Sequence, residues 1–308
     1  MQLPEELQLA IDELVQNIPS LRKAQEDLTR NYRTAPSSTS IFKNDSQKLA
    51  YLATRMPATY SAIRHVLQRI QIPCRRLLDL GAGPGTASWA ALEHFPDLEE
   101  ITLIEQSHEA IALGQKLSHK WSIKAQWIQQ SLETLTVFPS ADLAILSYVL
   151  NETKNPEALI DHCWNSPIST LAIIEPGTPK GFALIRTLRQ KLIEKGAHIL
   201  APCPHALTCP IQNADWCHFS ARIERTRLHR LLKGGALGHE DEKFSYLVVS
   251  KIPQSPPPSR IVRHPQKHSG HVRLSLCTQE GTLKEKVVTR SDKNSYRQAR
   301  DSEWGDQM

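Results

Sequence analysis

The chain has 308 residues, 40% of them apolar and 6% aromatic, and a formal net charge of +5. That length suits one large domain or one domain with appendages, with enough apolar content for a sizeable core. No apolar run approaches the ~20 residues of a membrane span, so no membrane partner is expected.

The charge is unevenly spread. Residues 251–300 hold 11 Lys/Arg against 3 Asp/Glu, residues 1–250 hold 26 of each, and the last eight contribute −3. A local basic segment is the electrostatic footprint of a phosphate-backbone partner, although a solvated tail has the same composition. The first residues, Met1-Gln2-Leu3-Pro4-Glu5-Glu6, are acidic and read as neither a secretory signal nor an Arg-rich transit peptide. The expected compartment is a reducing cytoplasm, where cysteines read as metal-binding or catalytic rather than as disulfides.

Residues 1–70 read as an N-terminal helical region. Leu7, Leu9, Ile11, Leu14 and Val15 form an amphipathic pattern after Pro4, and residues 35–38 break it. Ser46 is placed as the cap of a helix that Pro57 interrupts, and a further helix covers residues 60–70. From residue 76 the rhythm becomes strand, turn, helix. Strands are expected at 77–80, 101–104, 125–128, 143–146 and 170–174, with helices at 86–94, from Ser107 towards residue 117, and at 156–163. This alternation predicts an α/β fold, a doubly wound parallel sheet with both faces covered.

Residues 201–233 break the alternation as a cysteine-rich insertion, and residues 244–250 return as a late strand. The expected domain therefore runs from 71 to 252. The Pro/Ser-rich run 253–258 reads as a stiff linker into a basic C-terminal extension, 253–308. There residues 271–276 and 283–289 are expected to pair as a hairpin across 279–281, and the polar stretch after Ser291 is expected to be partly disordered.

The first strand leads into Asp79-Leu80-Gly81-Ala82-Gly83-Pro84-Gly85. Glycines there let the backbone approach a ligand closely, and the following helix N-terminus offers free N–H groups to an anionic group. The G-x-G-x-G spacing, with an acidic residue two before it, differs from the dinucleotide G-x-G-x-x-G. It resembles motif I of class I S-adenosylmethionine-dependent methyltransferases. Glu105, 20 residues past Gly85 at the end of the second strand, suits ribose hydroxyls. Ser131, at the third strand's exit, lies where such folds contact adenine. The cofactor set is thus Asp79, Gly81, Gly83, Gly85, Glu105 and Ser131. The fourth exit, residues 147–152, offers only weak catalytic candidates. Glu152 suits a base and Tyr148 a stacking surface, and packing or capping would explain both equally.

Cys203, Cys209 and Cys217 are separated by five and seven residues, with proline after the first two. Iron–sulfur and zinc sites both take four ligands. No two-residue zinc knuckle occurs, which favours a cluster. Cys277, separated from Cys217 by 59 residues and on the expected hairpin, is the candidate fourth ligand. His205, His218 and Cys163 are rivals, and Cys74 reads as a buried apolar residue. Arg222, Arg225 and Arg230 fall near one helical face. With Arg260, Arg263, Lys267 and Arg273 they form a candidate phosphate-binding surface.

Several stretches together carry a resemblance. They are residues 50–60 (Ala-Tyr-Leu-Ala-Thr-Arg-Met-Pro-Ala-Thr-Tyr), the glycine turn, residues 147–152, residues 174–179, the Cys-Pro-His…Cys-Pro…Trp-Cys-His-Phe block, residues 240–246, and residues 269–277. The chain resembles the bacterial branch of the mitochondrial small-ribosomal-subunit methyltransferase-like assembly factors. The resemblance implies a class I methyltransferase fold that binds S-adenosylmethionine. It also implies a [4Fe–4S] cluster on Cys203, Cys209, Cys217 and Cys277, with zinc as the alternative. It implies docking on small-subunit ribosomal RNA and the pre-ribosomal small subunit during assembly, as a monomer off the ribosome, with methylation of that RNA a possible activity. The rival expectations are a non-catalytic docking platform and a small-molecule methyltransferase with structural zinc.

Overall fold

A computed structural model describes residues 2–15, 21–34, 44–212, 214–233 and 237–308, with the backbone alone for 28–34. The break expected at residues 35–38 lies outside the described residues. The chain divides into two compact units, Met1–Ile168 with Ala221–Glu242, and Ser169–Ser220 with Lys243–Met308.

The first unit opens with helices α1 (Glu5–Val15), α2 (Leu21–Thr34), α3 (Asp45–Thr54) and α4 (Met56–Leu67). Leu7, Ile11 and Val15 are buried one turn apart on α1, whereas Leu9 is 55% exposed, so the apolar face is narrower than the composition implied. Asn44, not Ser46, caps α3, because its side chain accepts the Gln47 N–H. Pro57 sits in the first turn of α4, where a missing N–H costs nothing.

The alternation follows with β1 (Arg76–Leu80), α5 (Thr86–His94), β2 (Glu100–Glu105), α6 (His108–Leu117), β3 (Lys124–Gln129), β4 (Ala141–Ser147), a 3-10 turn at Leu150–Glu152, and α7 (Pro156–Asn165). Ser107 caps α6 as expected, accepting from Ala110 N–H. The strands are parallel, in the order β3-β2-β1-β4. The chain steps outward from β1 to β3 and then returns to the other side of β1. That reversal opens a crevice at the carboxyl ends of β1 and β4, where open α/β sheets bind ligands.

The chain continues with β5 (Ile168–Pro176), α8 (Pro179–Glu194), β6 (His198–Ala201), the cysteine-bearing stretch 202–218, β7 (Phe219–Glu224), α9 (Arg227–Lys233) and β8 (His239–Ser250). In the second unit β8 pairs antiparallel with β5 and with β6. Order 3-2-1-4 in one unit and 5-8-6 in the other, with β8 antiparallel, is the strand pattern of the class I methyltransferase fold.

The C-terminal segment adds β9 (Ser259–Ile261), β10 (Gln266–Lys267), β11 (His271–Thr278), β12 (Leu283–Thr289) and α10 (Lys293–Asp301). β11 and β12 form the expected hairpin, and β9 and β10 both pair with β11. Ile261, Val272, Leu274, Leu276, Val288 and Ala299 make its core. The stretch after Ser291, expected to be partly disordered, is largely helical. Asp292 caps it on Ser295 N–H, Ala299 is fully buried, and Tyr296 and Met308 pack against the hairpin core, so the segment docks through several apolar contacts. No helix of the described residues is long and apolar enough to cross a membrane.

Candidate functional site

β1 is buried from Leu77 to Leu80 and carries Asp79 and the glycine turn to the crevice. Gly81, Gly83 and Gly85 have φ of 70°, 53° and 85°. The left-handed region costs a side-chain-bearing residue about 1–2 kcal/mol. Gly81 N–H and Ala82 N–H both donate to the Ile104 carbonyl, at 2.9 and 3.1 Å, which ties the turn to β2. A Cβ on Gly81 would stand 2.5 Å from Val149 Cγ2, in the segment after β4, while one on Gly83 would meet nothing within 4 Å. The turn is packed at its first glycine and open at its second, as a cradle requires.

Glu105 faces the open glycine. One carboxylate oxygen accepts Gly83 N–H at 2.9 Å and the other accepts Ser107 N–H at 2.8 Å. Asp79 is buried and accepts both Ser88 N–H (3.1 Å) and Ser88 Oγ–H (2.7 Å), so it fixes the start of α5 against β1. Burial pushes its carboxyl up to about 7, against those two hydrogen bonds. Ser131 forms a local turn after β3, with its hydroxyl accepting Glu133 N–H at 3.3 Å and its carbonyl accepting Thr134 N–H at 3.2 Å.

At the β4 exit Tyr148 has φ of 58°, an outlier for a bulky side chain and a strain found at functional sites. Its hydroxyl donates to Glu242 Oε1 at 3.2 Å, and Arg55 Nη2 stands 3.5 Å from the same oxygen. Burial, with the Glu105 charge, pushes the Glu152 carboxyl up to about 7. Tyr51 of α3 joins them. Burial raises its phenol, and Arg55, Thr86, Glu152 and Glu105 all act on it electrostatically. Tyr51 is a site residue the sequence reading did not single out. Its signal was its place in the 50–60 stretch that carried the family resemblance. Two carboxyls and a phenol beside an open glycine suit a ligand that carries hydroxyls and positive charge.

In the second unit Cys203, Cys209, Cys217 and Cys277 line one cavity together with His205. The 202–218 stretch brings the first three, and β11 brings the fourth. Burial pushes the Cys277 thiol up to about 12 and the Cys217 thiol well above its ordinary value, and the other cysteines raise both further. His205 Nε2 lies 3.4 Å from Cys277 Sγ. Among the described residues, no group of three or more His, Cys, Asp or Glu side chains is drawn together to hold a single metal ion. Four thiols on one cavity match the ligand number of either a zinc ion or an iron–sulfur cluster. Trp216 and His218 stack at 5.2 Å, and Trp304 meets His218 edge-on at 4.9 Å, so aromatic rings stand beside Cys217. Cys163 and Cys74 do not line this cavity. Both are buried, with thiols pushed up to about 12, and Cys74 is the apolar residue expected.

The cations divide into several sets. Arg222 belongs to strand β7 and Arg225 follows it, so the helical face expected for them does not form. Arg222 pairs with Asp241 at 2.8 Å and Arg225 with Glu240 at 2.8 Å, because an antiparallel partner strand places acids opposite them. Arg230 is exposed on α9. Arg260 is fully buried and donates to the Pro202 and Gly305 carbonyls, both at 2.9 Å, so it cannot belong to a phosphate-facing surface. Arg263 pairs with Asp215 at 2.5 Å. Lys267 and Arg273 are exposed on neighbouring strands, and Lys284, Lys286, Arg290, Lys293, Arg297 and Arg300 are exposed in the same segment. These last six were visible only as a net charge.

A family model described as mitochondrial small ribosomal subunit Rsm22 matches residues 45–308. The chain belongs to the Rsm22 family. The human ribosome assembly protein METTL17, mitochondrial, is 26% identical over 98% of this chain and 73% of its own length. The Schizosaccharomyces pombe Rsm22-cox11 tandem protein 2, mitochondrial, is 28% identical over 85% of this chain, which spans 43% of that relative. Among solved structures, the Synechocystis magnesium protoporphyrin IX methyltransferase with bound SAH shares 14% identity over 80% of this chain and 100% of its own, at a TM-score of 0.43.

Proposed function

We propose that this Rsm22-family chain is a small-ribosomal-subunit assembly factor. It binds S-adenosylmethionine at the glycine turn, holds a [4Fe–4S] cluster on Cys203, Cys209, Cys217 and Cys277, and docks on small-subunit ribosomal RNA through its C-terminal cations. The observation that carries this reading is that Cys277, far along the chain from the other three cysteines, lines the same cavity as they do. A [4Fe–4S] cluster and a tetrahedral zinc both take four such thiolates, and the lack of a two-residue knuckle between the cysteines favours the cluster.

S-adenosylmethionine supplies an electrophilic methyl group when bound. Glu105 would accept ribose hydroxyls, Gly83 would admit the close backbone approach, and Glu152 with Tyr51 would face the cationic end. The exposed set Arg230, Lys267, Arg273, Lys284, Lys286 and Arg290 supports a polyanionic partner. The human relative named as a ribosome assembly protein supports a ribosomal particle as that partner.

Anaerobic purification followed by iron and sulfide assay tests the cluster. The expected content is about four of each per chain, falling in Cys277→Ser. A colourless protein with stoichiometric zinc refutes it. Crosslinking in cells is expected to recover small-subunit ribosomal RNA, and background RNA alone refutes the docking. Methylation mapping of that RNA in a deletion strain separates a reactive methyl donor, which loses a mark, from a docking role, which leaves the map unchanged.

A further inference from the structure

We propose that Arg189 and Arg260 are the counter-cations of the cysteine-held centre, two buried guanidinium groups that balance its negative charge and donate hydrogen bonds to its sulfur atoms. This rests on the assignment of the four cysteines as cluster ligands. Arg189 is 3% exposed and Arg260 0%, and both line the cysteine cavity. Among the described residues their side-chain partners are backbone carbonyls and one imidazole, with no carboxylate. Arg189 Nη2 donates to the His205 and Leu207 carbonyls at 2.7 and 2.9 Å, and Arg260 donates to those of Pro202 and Gly305. One nitrogen on each, Arg189 Nε and Arg260 Nη2, is buried without a hydrogen-bond partner among the described residues.

Their placement is specific. Arg260 on β9 lies directly opposite Cys277 on β11 in the antiparallel register, so the two side chains leave the same face of the sheet. Arg189 Nη2 stands 3.4 Å from His205 Nδ1, and His205 Nε2 stands 3.4 Å from Cys277 Sγ. Arg189 also sits in the buried stripe of α8 with Phe182, Ile185 and Leu192, where an apolar residue is the default.

A guanidinium stays protonated in proteins, and a buried charge without a counter-charge costs several kcal/mol. Carbonyl dipoles offset part of this, and four neutral thiols offset none of it. Four thiolates around a four-iron core of charge +2 carry a net −2, which two guanidinium ions match. The two orphan N–H groups then find acceptors in thiolate or sulfide sulfur. Two purely structural brackets, each pinning loop carbonyls, would leave the centre's electronic properties untouched.

The test uses the full chain, reconstituted anaerobically, as wild type, Arg189→Gln, Arg189→Lys, Arg260→Gln and Arg260→Lys. Iron and sulfide per chain are assayed, and a dithionite titration is followed by electron paramagnetic resonance. Reduction adds one electron, taking the centre from −2 to −3. Each Gln variant is expected to lower the reduction equilibrium constant tenfold or more, 59 mV for one electron, while each Lys variant keeps most of the wild-type value. Wild type carrying 15N-arginine is expected to show 15N hyperfine coupling to the reduced centre, a readout that needs no variant to fold. Fully loaded Gln variants with unshifted potentials, or a labelled wild type without coupling, overturn the inference alone. Wild type without iron and sulfide overturns the cluster assignment and this inference with it.

Discussion

Gly81 and Gly83 share a left-handed backbone but differ in what a methyl group would meet, so Gly81→Ala and Gly83→Ala should fail in different ways. In Gly81→Ala the new Cβ falls 2.5 Å from Val149 Cγ2 and 3.0 Å from Val149 Cβ. The left-handed conformation costs about 1–2 kcal/mol and overpacking about 1–3 kcal/mol, together about 2–5 kcal/mol. At about 2 °C per kcal/mol for a long chain, the melting temperature should fall by roughly 4–10 °C. In Gly83→Ala nothing lies within 4 Å, so the stability cost is the conformational ~1–2 kcal/mol alone.

That methyl group does, however, occupy the open space before the turn, which the proposed ligand needs. Gly83→Ala should therefore weaken S-adenosylmethionine binding at least tenfold, about 1.4 kcal/mol. Scanning calorimetry without ligand and titration calorimetry with it separate the two variants. If Gly83→Ala binds as tightly as wild type, the turn is not a cradle. If Gly81→Ala melts with wild type, the contact with Val149 does not constrain it.

The Asp79 carboxyl stands at about 7 in the fold against 3.8 ordinarily, so its contribution is fully present below pH 3.8 and lost as pH rises through 7. Asp79→Asn should flatten that fall, worth up to about 4 kcal/mol, in urea titrations between pH 4 and 8, leaving the slope that belongs to Glu152; an unaltered profile would count against the burial argument. Because Glu152 ionises near 7, the ratio of S-adenosylmethionine to S-adenosylhomocysteine affinity should rise between pH 6 and 8, and Glu152→Gln should abolish the rise; a ratio independent of pH in wild type would remove Glu152 from the cationic end. Glu240 accepts from Arg225 (2.8 Å) and Lys233 (2.5 Å), with His229 at 3.3 Å, and although burial opposes it those partners hold its carboxyl far below the usual range. Glu240→Gln should cost about 3 kcal/mol by chemical denaturation, and a loss under 1 kcal/mol would show the cations solvated instead. Lys267→Ala with Arg273→Ala should lower the slope of log affinity against log salt for ribosomal RNA by about 2, whereas Arg222→Ala, already paired to Asp241, should leave it unchanged.

The parts legible in the sequence are those whose physics is local. The strand-turn-helix rhythm from residue 76, the glycine turn and the hairpin at residues 271–289 each follow from periodicity or from a required backbone angle, and the structure has them. Side-chain fate is not local. Arg260 and Arg273 look alike in a basic segment, yet one faces the interior opposite Cys277 and the other faces solvent, and only strand register separates them. Arg222 and Arg225 have a three-residue spacing that suits a helical face, yet Arg222 lies on β7 and Arg225 just after it, and both meet acids of β8 instead. Tyr51 reaches its site through a helix far from the strands that define the crevice. Arg189 did leave a trace in sequence, a charged residue at the buried position of an otherwise apolar stripe in α8.

The two sites share one electrostatic property with opposite sign. Among the described residues, Glu105 at the glycine turn takes backbone N–H groups, and Glu152 meets burial and a like charge. Among the same residues, the two buried guanidinium groups at the cysteines take carbonyls and an imidazole. A fold optimised for stability alone would have neutralised both sets, since a buried carboxyl that resists ionisation and a buried cation without a counter-ion each lower stability. Under the proposed function each set would be relieved by a guest of the opposite sign, a sulfonium in one unit and a thiolate-bound core in the other. A guest that relieves such strain stabilises the folded state by mass action. On that proposal, apo protein should gain stability from each guest separately, and a guest that leaves the melting temperature unchanged is not the one its site's charge calls for.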